Sequence, residues 1–260
     1  MHCIDAGERC SLTSLNQTAA ELEKSVWDLI DTIKFNPLSL GDFILDYSEL
    51  KGAIAAAFYT ADAWPNLADQ LTVLLSGTAK DYPELFSSGG GAGAASQVEL
   101  ASTTESLAAI RCVDRRVRAS FSEFSAATEQ LYSTSRLYGD LTSALNADCA
   151  RWKVEPREPF QGDLHSIETR NPVLIIGNTF DGQTSIVSAH NISSSFPDSG
   201  VLEVNGYGHA SISLPSACTV REVSKYWTSG TLPENGKVCE VDALPYMNQT
   251  WADVLEELGS

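Results

Sequence analysis

The chain has 260 residues, 43% of them hydrophobic, which is ordinary for a globular protein that buries a core in one or two domains. Its 34 acidic residues outnumber 17 basic ones, and the formal charge of −17 argues against nucleic acid and anionic membrane surfaces as partners. No apolar run approaches the roughly 18 residues of a membrane-spanning helix, and residues 1–3 do not begin a signal peptide. We therefore expect a globular protein with no nucleic-acid or membrane partner.

Residues 11–86 are predicted to be helical. Apolar side chains recur there at three- and four-residue spacing, which is typical of helices with one buried face. Three helix starts carry a capping pair or a proline: Thr18 with Glu21, Asp46 with Glu49, and Pro65. The first helix should end at Asn36 and Pro37, because proline removes a backbone donor. Such apolar helix faces indicate a packed helical core rather than a cofactor site.

A glycine-rich segment divides the helical part of the chain. Residues 87–96 hold four glycines, and this composition predicts a mobile surface loop. Beyond it, residues 98–110 and 121–145 are again predicted to be helical. Residues 152–170 contain prolines and a glycine, which predict a connecting loop that leads into a different kind of structure.

Two short apolar runs after that loop each end in a side chain that can take part in proton transfer. Residues 173–176 form an unbroken run that predicts a strand buried on both faces, with Asp181 just past it. Residues 201–204 predict a second strand, and the glycines after it let the backbone turn before His209. Residues 185–196 predict the crossover helix that parallel strands require. Asp181 and His209 should therefore meet at one sheet edge.

Asp181 and His209, in that order, fit the last two members of the Ser, Asp, His triad of α/β-hydrolases. In such a triad the imidazole takes the serine proton, and a buried carboxylate orients the imidazole. Two structural interpretations stay open. An aspartate after a strand often closes a turn, and a histidine after glycine often occupies an unusual backbone conformation. No G-x-S-x-G nucleophile motif occurs in the chain, and the glycine-rich residues 89–96 lack its spacing.

The six cysteines point to an oxidising compartment. If all of them form disulfides they can pair in 15 ways, and six reduced, buried thiols are the alternative. Sequons at Asn16, Asn191 and Asn248 fit a secreted glycoprotein, although about two would arise by chance. Cysteines suited to secretion in a chain without a signal peptide lead us to expect a missing N-terminal portion.

Three segments near the end of the chain resemble one protein family. They are NPVLIIGNTFDGQT from Asn171, NGYGHASISLPSACT from Asn205, and GTLPENGKVCEVD from Gly230. Together they resemble the C-terminal region of tripeptidyl-aminopeptidase-like serine peptidases, which are secreted α/β-hydrolases. The similarity extends back through residues 149–152 and 109–114 to residues 3–10, so that it covers nearly the whole chain.

The resemblance implies an α/β fold: the C-terminal part of an α/β-hydrolase, with a short parallel sheet and a helical cap. Residues 1–150 would be the cap. Residues 151–260 would hold the last two strands, with Asp181 as the triad acid and His209 as the base. Asp114 would pair with the free ammonium group of a peptide substrate, because an unpaired charge in a desolvated pocket is costly. The alternative for Asp114 is an ion pair on a solvated face, with Arg115, Arg116 or Arg118.

The resemblance also implies three disulfides, namely Cys3–Cys10, Cys112–Cys149 and Cys218–Cys239. The nucleophile, the oxyanion-hole loop and most of the sheet would lie in a missing N-terminal half, so this chain alone should be inactive. No cofactor or metal is implied, and the partner of the full-length enzyme would be the N-terminal end of a peptide. The alternative functions are a truncated cap-and-tail module that binds without cleaving, and a fragment of an esterase-type hydrolase.

Two departures from the family pattern concern the residues around the predicted triad. Gly182 and Ser185 stand where the family usually has prolines after the acid, and Ala210 replaces a common cysteine. Neither departure removes a catalytic atom. Because proline restricts the backbone, we expect the loop after Asp181 to be less constrained here.

Overall fold

The computed structural model describes residues 2–87, 97–114, 118–159, 162–163, 165–247 and 249–259. The predicted glycine-rich loop lies outside the described residues, apart from Ser87. The α-helices are α1 (His2–Ala6), α2 (Ala19–Phe35), α3 (Tyr47–Ala57), α4 (Trp64–Leu75), α5 (Glu84–Ser87), α6 (Gln97–Asp114), α7 (Phe121–Thr134), α8 (Tyr138–Leu141), α9 (Ser143–Arg151), α10 (Ile186–Ser193), α11 (Ala217–Ser229) and α12 (Trp251–Gly259). The strands are β1 (Leu38–Leu40), β2 (Phe43–Leu45), β3 (Val173–Phe180), β4 (Ser199–Tyr207) and β5 (Val238–Glu240). No helix in these ranges combines the length and apolar character needed to cross a bilayer.

The described residues between 2 and 151 make up a helical unit, in which α2, α3 and α4 pack around one apolar core. The predicted helix starts are confirmed: Thr18 and Glu21 form a reciprocal capping box, Asp46 caps α3, and proline occupies the first turn of α4. The caps satisfy backbone N–H groups that have no partner within the helix. The buried core side chains are Ile30, Ile33, Leu40, Leu45, Leu50, Ile54, Leu71, Leu74, Ala79 and Phe86.

A β-hairpin interrupts the region that was predicted to be helical throughout, so that prediction is wrong over residues 38–45. β1 and β2 pair antiparallel, with Leu38 opposite Leu45. Pro37 cannot continue α2, and Gly41 makes the turn with a φ of 65°, which residues with a side chain rarely adopt. Leu40 and Leu45 belong to the buried core, so the hairpin closes one side of the helical unit.

The predicted helix over residues 121–145 is three helices, α7, α8 and α9. The chain leaves α7 at Ser135, which is extended and whose hydroxyl accepts a hydrogen bond from Tyr138 N at 3.1 Å. Gly139 then packs directly against α7, since a Cβ at this position would lie 2.4 Å from Tyr132 Cα. The hydroxyl cap and the close glycine contact together turn the chain back on itself.

A buried charge joins α3 to α8. Lys51 has no exposed side-chain surface, and its ammonium group donates to Tyr47 Oη, to Arg136 O and to the Asp140 carboxylate. Burial alone would raise the pKa of Asp140, but hydrogen bonds from Lys51 and Tyr47 outweigh it, and the pKa of Asp140 is lowered. All three ammonium protons of Lys51 therefore have an acceptor.

Residues 173–259 contain a parallel three-stranded sheet in the order β3, β4, β5, which confirms the α/β class. β3 and β4 pair from Val173 opposite Ser199 to Phe180 opposite Tyr207. The crossover helix α10 packs on the sheet at Gly177, where a Cβ would lie 2.8 Å from Ile186. β5, which pairs with β4 over three residues, was not predicted. The sheet places the ends of β3 and β4 side by side.

Three disulfides hold the chain, with the pairing that the resemblance implies: Cys3–Cys10, Cys112–Cys149 and Cys218–Cys239. The second joins α6 to α9, and the third joins α11 to β5. Near the end of the chain, α12 buries Val254 completely, whereas Asp253 and residues 255–257 are exposed. Asn16 and Asn191 are exposed, whereas the third sequon asparagine lies outside the described residues.

Candidate active site

Asp181 and His209 meet where β3 and β4 end. β3 ends at Phe180 and β4 at Tyr207, so each side chain follows a neighbouring parallel strand. His209 Nδ1 lies 3.1 Å from Asp181 Oδ2 and 3.3 Å from Oδ1. The two residues were expected to meet at one sheet edge, and the shorter distance is that of a direct hydrogen bond.

The Asp181 carboxylate is held by several donors. Its side chain is 4% exposed. Oδ1 accepts from Gln183 N at 2.8 Å and from Thr184 N at 2.9 Å, and Oδ2 accepts from the Thr184 hydroxyl at 3.1 Å. Burial raises the pKa of Asp181, but the backbone donors and His209 outweigh it, so that the pKa is lowered. Asp181 thus closes a turn and orients the imidazole at the same time.

The His209 ring is fixed at Nδ1. Thr184 Oγ1 lies 3.1 Å from Nδ1, so Asp181 and Thr184 share this ring nitrogen. His209 N donates to Tyr59 O at 2.9 Å, and the Tyr59 ring meets the imidazole edge-on with centroids 5.2 Å apart. The side chain is 35% exposed, and among the described residues Nε2 has no hydrogen-bond partner. A neutral ring with Nδ1 protonated can therefore accept a proton at Nε2.

Asn178 holds the backbone around His209, and the sequence reasoning missed it. This β3 side chain is 2% exposed, and its Nδ2 donates to Gly208 O at 2.9 Å and to Ala210 O at 2.8 Å. Gly208 and Ala210 have φ values of 92° and 73°, so the residues on both sides of His209 are left-handed. Such a conformation is strained for alanine and persists only when its surroundings hold it. The sequence did offer one signal for this role, because Asn178 is a single amide residue within an apolar strand.

The loop after Asp181 is anchored to the helical unit. Gln183 Nε2 donates to Tyr138 Oη at 2.7 Å and to Ala55 O at 3.1 Å. Phe58 lies over Gly182, where an added Cβ would stand 3.2 Å from the aromatic ring. We expected this loop to be less constrained, because Gly182 and Ser185 stand where the family usually has prolines. These contacts constrain it instead.

A family comparison covers these strands and loops. Residues 135–239 match the family model described as "TAP-like protein", an α/β-hydrolase family. This segment is similar to the C-terminal region of tripeptidyl-aminopeptidase-like α/β-hydrolases. The TAP-like segment runs from α8 to β5 and includes both Asp181 and His209. No curated protein matches the chain.

A cavity of about 660 Å³ lies between the TAP-like segment and the helical unit. Asp181 lines it, together with Phe180 and Tyr207, whose rings stack with centroids 4.7 Å apart. From the helical unit it is lined by Phe58 and Trp64. We call this the carboxylate cavity. Its volume is in the range of small-molecule sites.

Asp114 is exposed at the end of α6 and is not among the described residues that line the carboxylate cavity. Arg118, one of its predicted alternative partners, lies 3.5 Å from Glu155. Arg115 and Arg116 lie outside the described residues. The substrate-binding role of Asp114 therefore stays a prediction.

The side chains at the ends of β3 and β4 are suited to proton transfer. Within the described ranges, no three His, Cys, Asp or Glu side chains are grouped so that they could hold a metal ion. The arrangement at the ends of β3 and β4 instead offers one imidazole, oriented by one ionised carboxylate. Such a pair can act as general base and then as general acid.

Proposed function

We propose that this chain supplies the acid and base of a Ser–His–Asp triad in a secreted serine hydrolase that cleaves peptides. The single observation that carries the proposal is the 3.1 Å contact between His209 Nδ1 and the Asp181 carboxylate, at the ends of two adjacent parallel strands. In α/β-hydrolases this is the position of the triad acid and base. The family match supports the hydrolase class.

In the proposed mechanism, His209 Nε2 takes the proton of the serine hydroxyl as that oxygen attacks the carbonyl. Asp181 keeps the proton of the neutral imidazole on Nδ1 and stabilises the imidazolium that forms. His209 then returns the proton to the leaving group, and water releases the acyl group in a second, equivalent step. The lowered pKa of Asp181 keeps this carboxylate ionised throughout.

We propose that the serine stands on a segment outside these 260 residues. Two observations support this. The chain contains no G-x-S-x-G motif. In the described part of the chain β3 pairs only with β4, so that its other edge can accept a further parallel strand. On this view residues 1–150 act as a cap over the active site, and residues 151–260 complete the hydrolase domain. The three disulfides support secretion.

Transcript sequence upstream of Met1 gives the first test. An in-frame G-x-S-x-G after a predicted strand would support the proposal. A start codon at Met1 with no hydrolase sequence before it would favour the alternative, a module that binds peptides without cleaving them. Chain 1–260 should not react with a fluorophosphonate probe, and labelling of any of its serines would overturn the assignment.

Variants of the longer protein give the second test. Asp181→Asn should lower kcat toward chromogenic tripeptidyl substrates by about 10⁴-fold, because the imidazole loses its orientation, and His209→Ala should lower it by about 10⁶-fold, because the imidazole is absent. Asp198→Asn and His190→Ala are matched controls, since both side chains are exposed. Loss of less than tenfold in the first two variants, or equal loss in the controls, would contradict the proposed roles.

Asp114 has a separate test in the same protein. If it binds the substrate's free ammonium group, Asp114→Asn should raise KM for substrates with a free N-terminus and leave N-acetylated substrates unaffected. An equal effect on both substrates would show that Asp114 does not recognise the ammonium group.

A further inference from the structure

A second cavity lies next to the carboxylate cavity, between the helical unit and Tyr246. Its volume is about 200 Å³. Aliphatic side chains of α3 and α4 line it, among them Ile54, Leu67 and Leu71. Two buried alanines, Ala57 and Ala68, also line it and leave the space that larger side chains would fill. We call this the apolar cavity.

The apolar cavity and the carboxylate cavity share walls. Phe58, Trp64 and Tyr246 line both of them. Phe58 also lies over Gly182, the residue directly after Asp181. A ligand whose reacting carbonyl stood near His209 could therefore place a neighbouring side chain in the apolar cavity.

The chemistry of the apolar cavity restricts what it can hold. No charged side chain lines it. Trp64 Nε1 donates to Ala57 O at 2.9 Å and the Tyr246 hydroxyl donates to Trp64 O at 3.5 Å, so both polar side-chain groups of the lining already have a partner. A charged or amide side chain placed there would lose its hydration without gaining a partner. An aromatic or branched aliphatic side chain would lose nothing polar and would bury apolar surface.

The size of the apolar cavity fits a group of about the size of a phenyl ring. An engineered protein cavity of about 150 Å³ lined by similar side chains binds benzene. The apolar cavity, at about 200 Å³, exceeds that volume. Tyr246, one of the shared walls, has a φ of 69°, an outlier for an aromatic residue. A backbone held in this conformation suits a wall that must keep a fixed shape.

We propose that the apolar cavity is the subsite that selects substrates with a phenyl-sized aromatic or branched aliphatic side chain next to the cleaved bond. This inference rests on the proposed hydrolase function for its link to catalysis. Binding of the substrate's side chain depends only on the apolar cavity, so the proposed subsite and the proposed hydrolase function can fail separately.

The test uses the full 260-residue chain and N-acetyl-L-phenylalaninamide as the probe. Titration followed by methyl NMR should give saturable shifts at Ile54 and Leu71, and N-acetyl-L-glutaminamide should bind at least tenfold more weakly. Ala68→Leu and Leu12→Phe fill the apolar cavity from different walls, and each should weaken probe binding at least tenfold. Ala126→Leu, at an exposed position of α7, is the matched control and should bind as the unmodified chain does.

Absence of saturable shifts at Ile54 and Leu71 in the unmodified chain would overturn the inference, even if a filling variant did not fold. Unchanged binding in both folded filling variants would overturn it as well. His209→Ala separates the two proposals. The probe should still bind this variant, because His209 does not line the apolar cavity. Probe binding together with full hydrolysis by His209→Ala in the longer protein would refute the triad and leave the subsite standing.

Discussion

Removal of the Asn178 side chain should both destabilise the protein and release His209. Asn178 Nδ2 donates to the two carbonyl groups that flank His209, from a position that is 2% exposed. In Asn178→Ala, Gly208 O loses its donor, whereas Ala210 O keeps the hydrogen bond from Ser213 N. The left-handed conformation of Ala210 then loses one of the contacts that hold it.

The expected loss follows from counting buried polar groups. Gly208 O, left without a donor, costs about 2 kcal/mol, and the hydrogen bond lost at Ala210 O costs about 1 kcal/mol, because Ser213 N still donates to that oxygen. The wild-type side chain also buries an Oδ1 that has no partner among the described residues, and its removal recovers about 2 kcal/mol. The free energy of unfolding should therefore fall by about 1 kcal/mol. Asn178→Asp should cost more, because it puts carboxylate oxygens against the same carbonyls.

Urea denaturation followed by circular dichroism measures the loss of stability. Asn205→Ala is the matched control, since Asn205 donates to Glu240 at the protein surface and should change the unfolding free energy by less than about 0.5 kcal/mol. ¹⁵N NMR of the imidazole reports the site, and the Nδ1 signal of His209 should lose the signature of its hydrogen bond to Asp181. A loss in Asn178→Ala no larger than in the control, with an unchanged His209 signal, would refute this reasoning.

Three further predictions concern stability. Asp140→Asn should lower the free energy of unfolding by about 3–5 kcal/mol in urea denaturation, because Lys51, with 0% exposure, loses its anion. Lys51→Met should cost less, since Asp140 is 28% exposed and can be hydrated, and equal losses would contradict this. Because the folded-state pKa of Asp181 is lowered, the stability it contributes is full above its ordinary pKa of about 4 and is lost as pH falls through the folded-state pKa. At acidic pH, the free energy of unfolding should thus fall less steeply with decreasing pH in Asp181→Asn than in the wild type. An identical slope in the two proteins would exclude this contribution. Replacing Cys112 and Cys149 with alanine reopens a loop of 37 residues and should cost about 4 kcal/mol in thermal denaturation, whereas an unchanged melting temperature would show that the bond adds nothing.

The Asp181–His209 pair could be predicted because its cause is local. An apolar run of four residues predicted β3, and parallel strands bring their carboxyl ends to one sheet edge. The prediction that this run is buried on both faces is wrong, because residues 173–176 are half-buried. The helix starts at Thr18 and Asp46 are equally local, since each cap involves a residue three positions further on. In each case the determining residues lie within a few positions of the feature they determine.

The support around the pair could not be predicted because it is distant in sequence. Gln183 reaches Ala55 across a separation of 128 residues, and Ser213 reaches Tyr59 across 154. No spacing or periodicity encodes such a contact. β5 was missed for a different reason: three residues with one buried side chain are too short for a recognisable alternation, and their pairing with β4 depends on tertiary structure.

The contacts between the end of α3 and the loops after β3 and β4 also determine when, during synthesis of the chain, Asp181 and His209 can first be aligned. A ribosome adding roughly 5–20 residues per second needs on the order of ten seconds to synthesise the 128 residues that separate Ala55 from Gln183. During that interval α3 has emerged, but the side chains that it will hold have not been made. Contacts of such long range also form slowly, because a large loop must close before they stabilise anything. Alignment of Asp181 with His209 is thus a late event in the synthesis and folding of the chain, and a nascent chain that stops before His209 carries the helical unit without the pair.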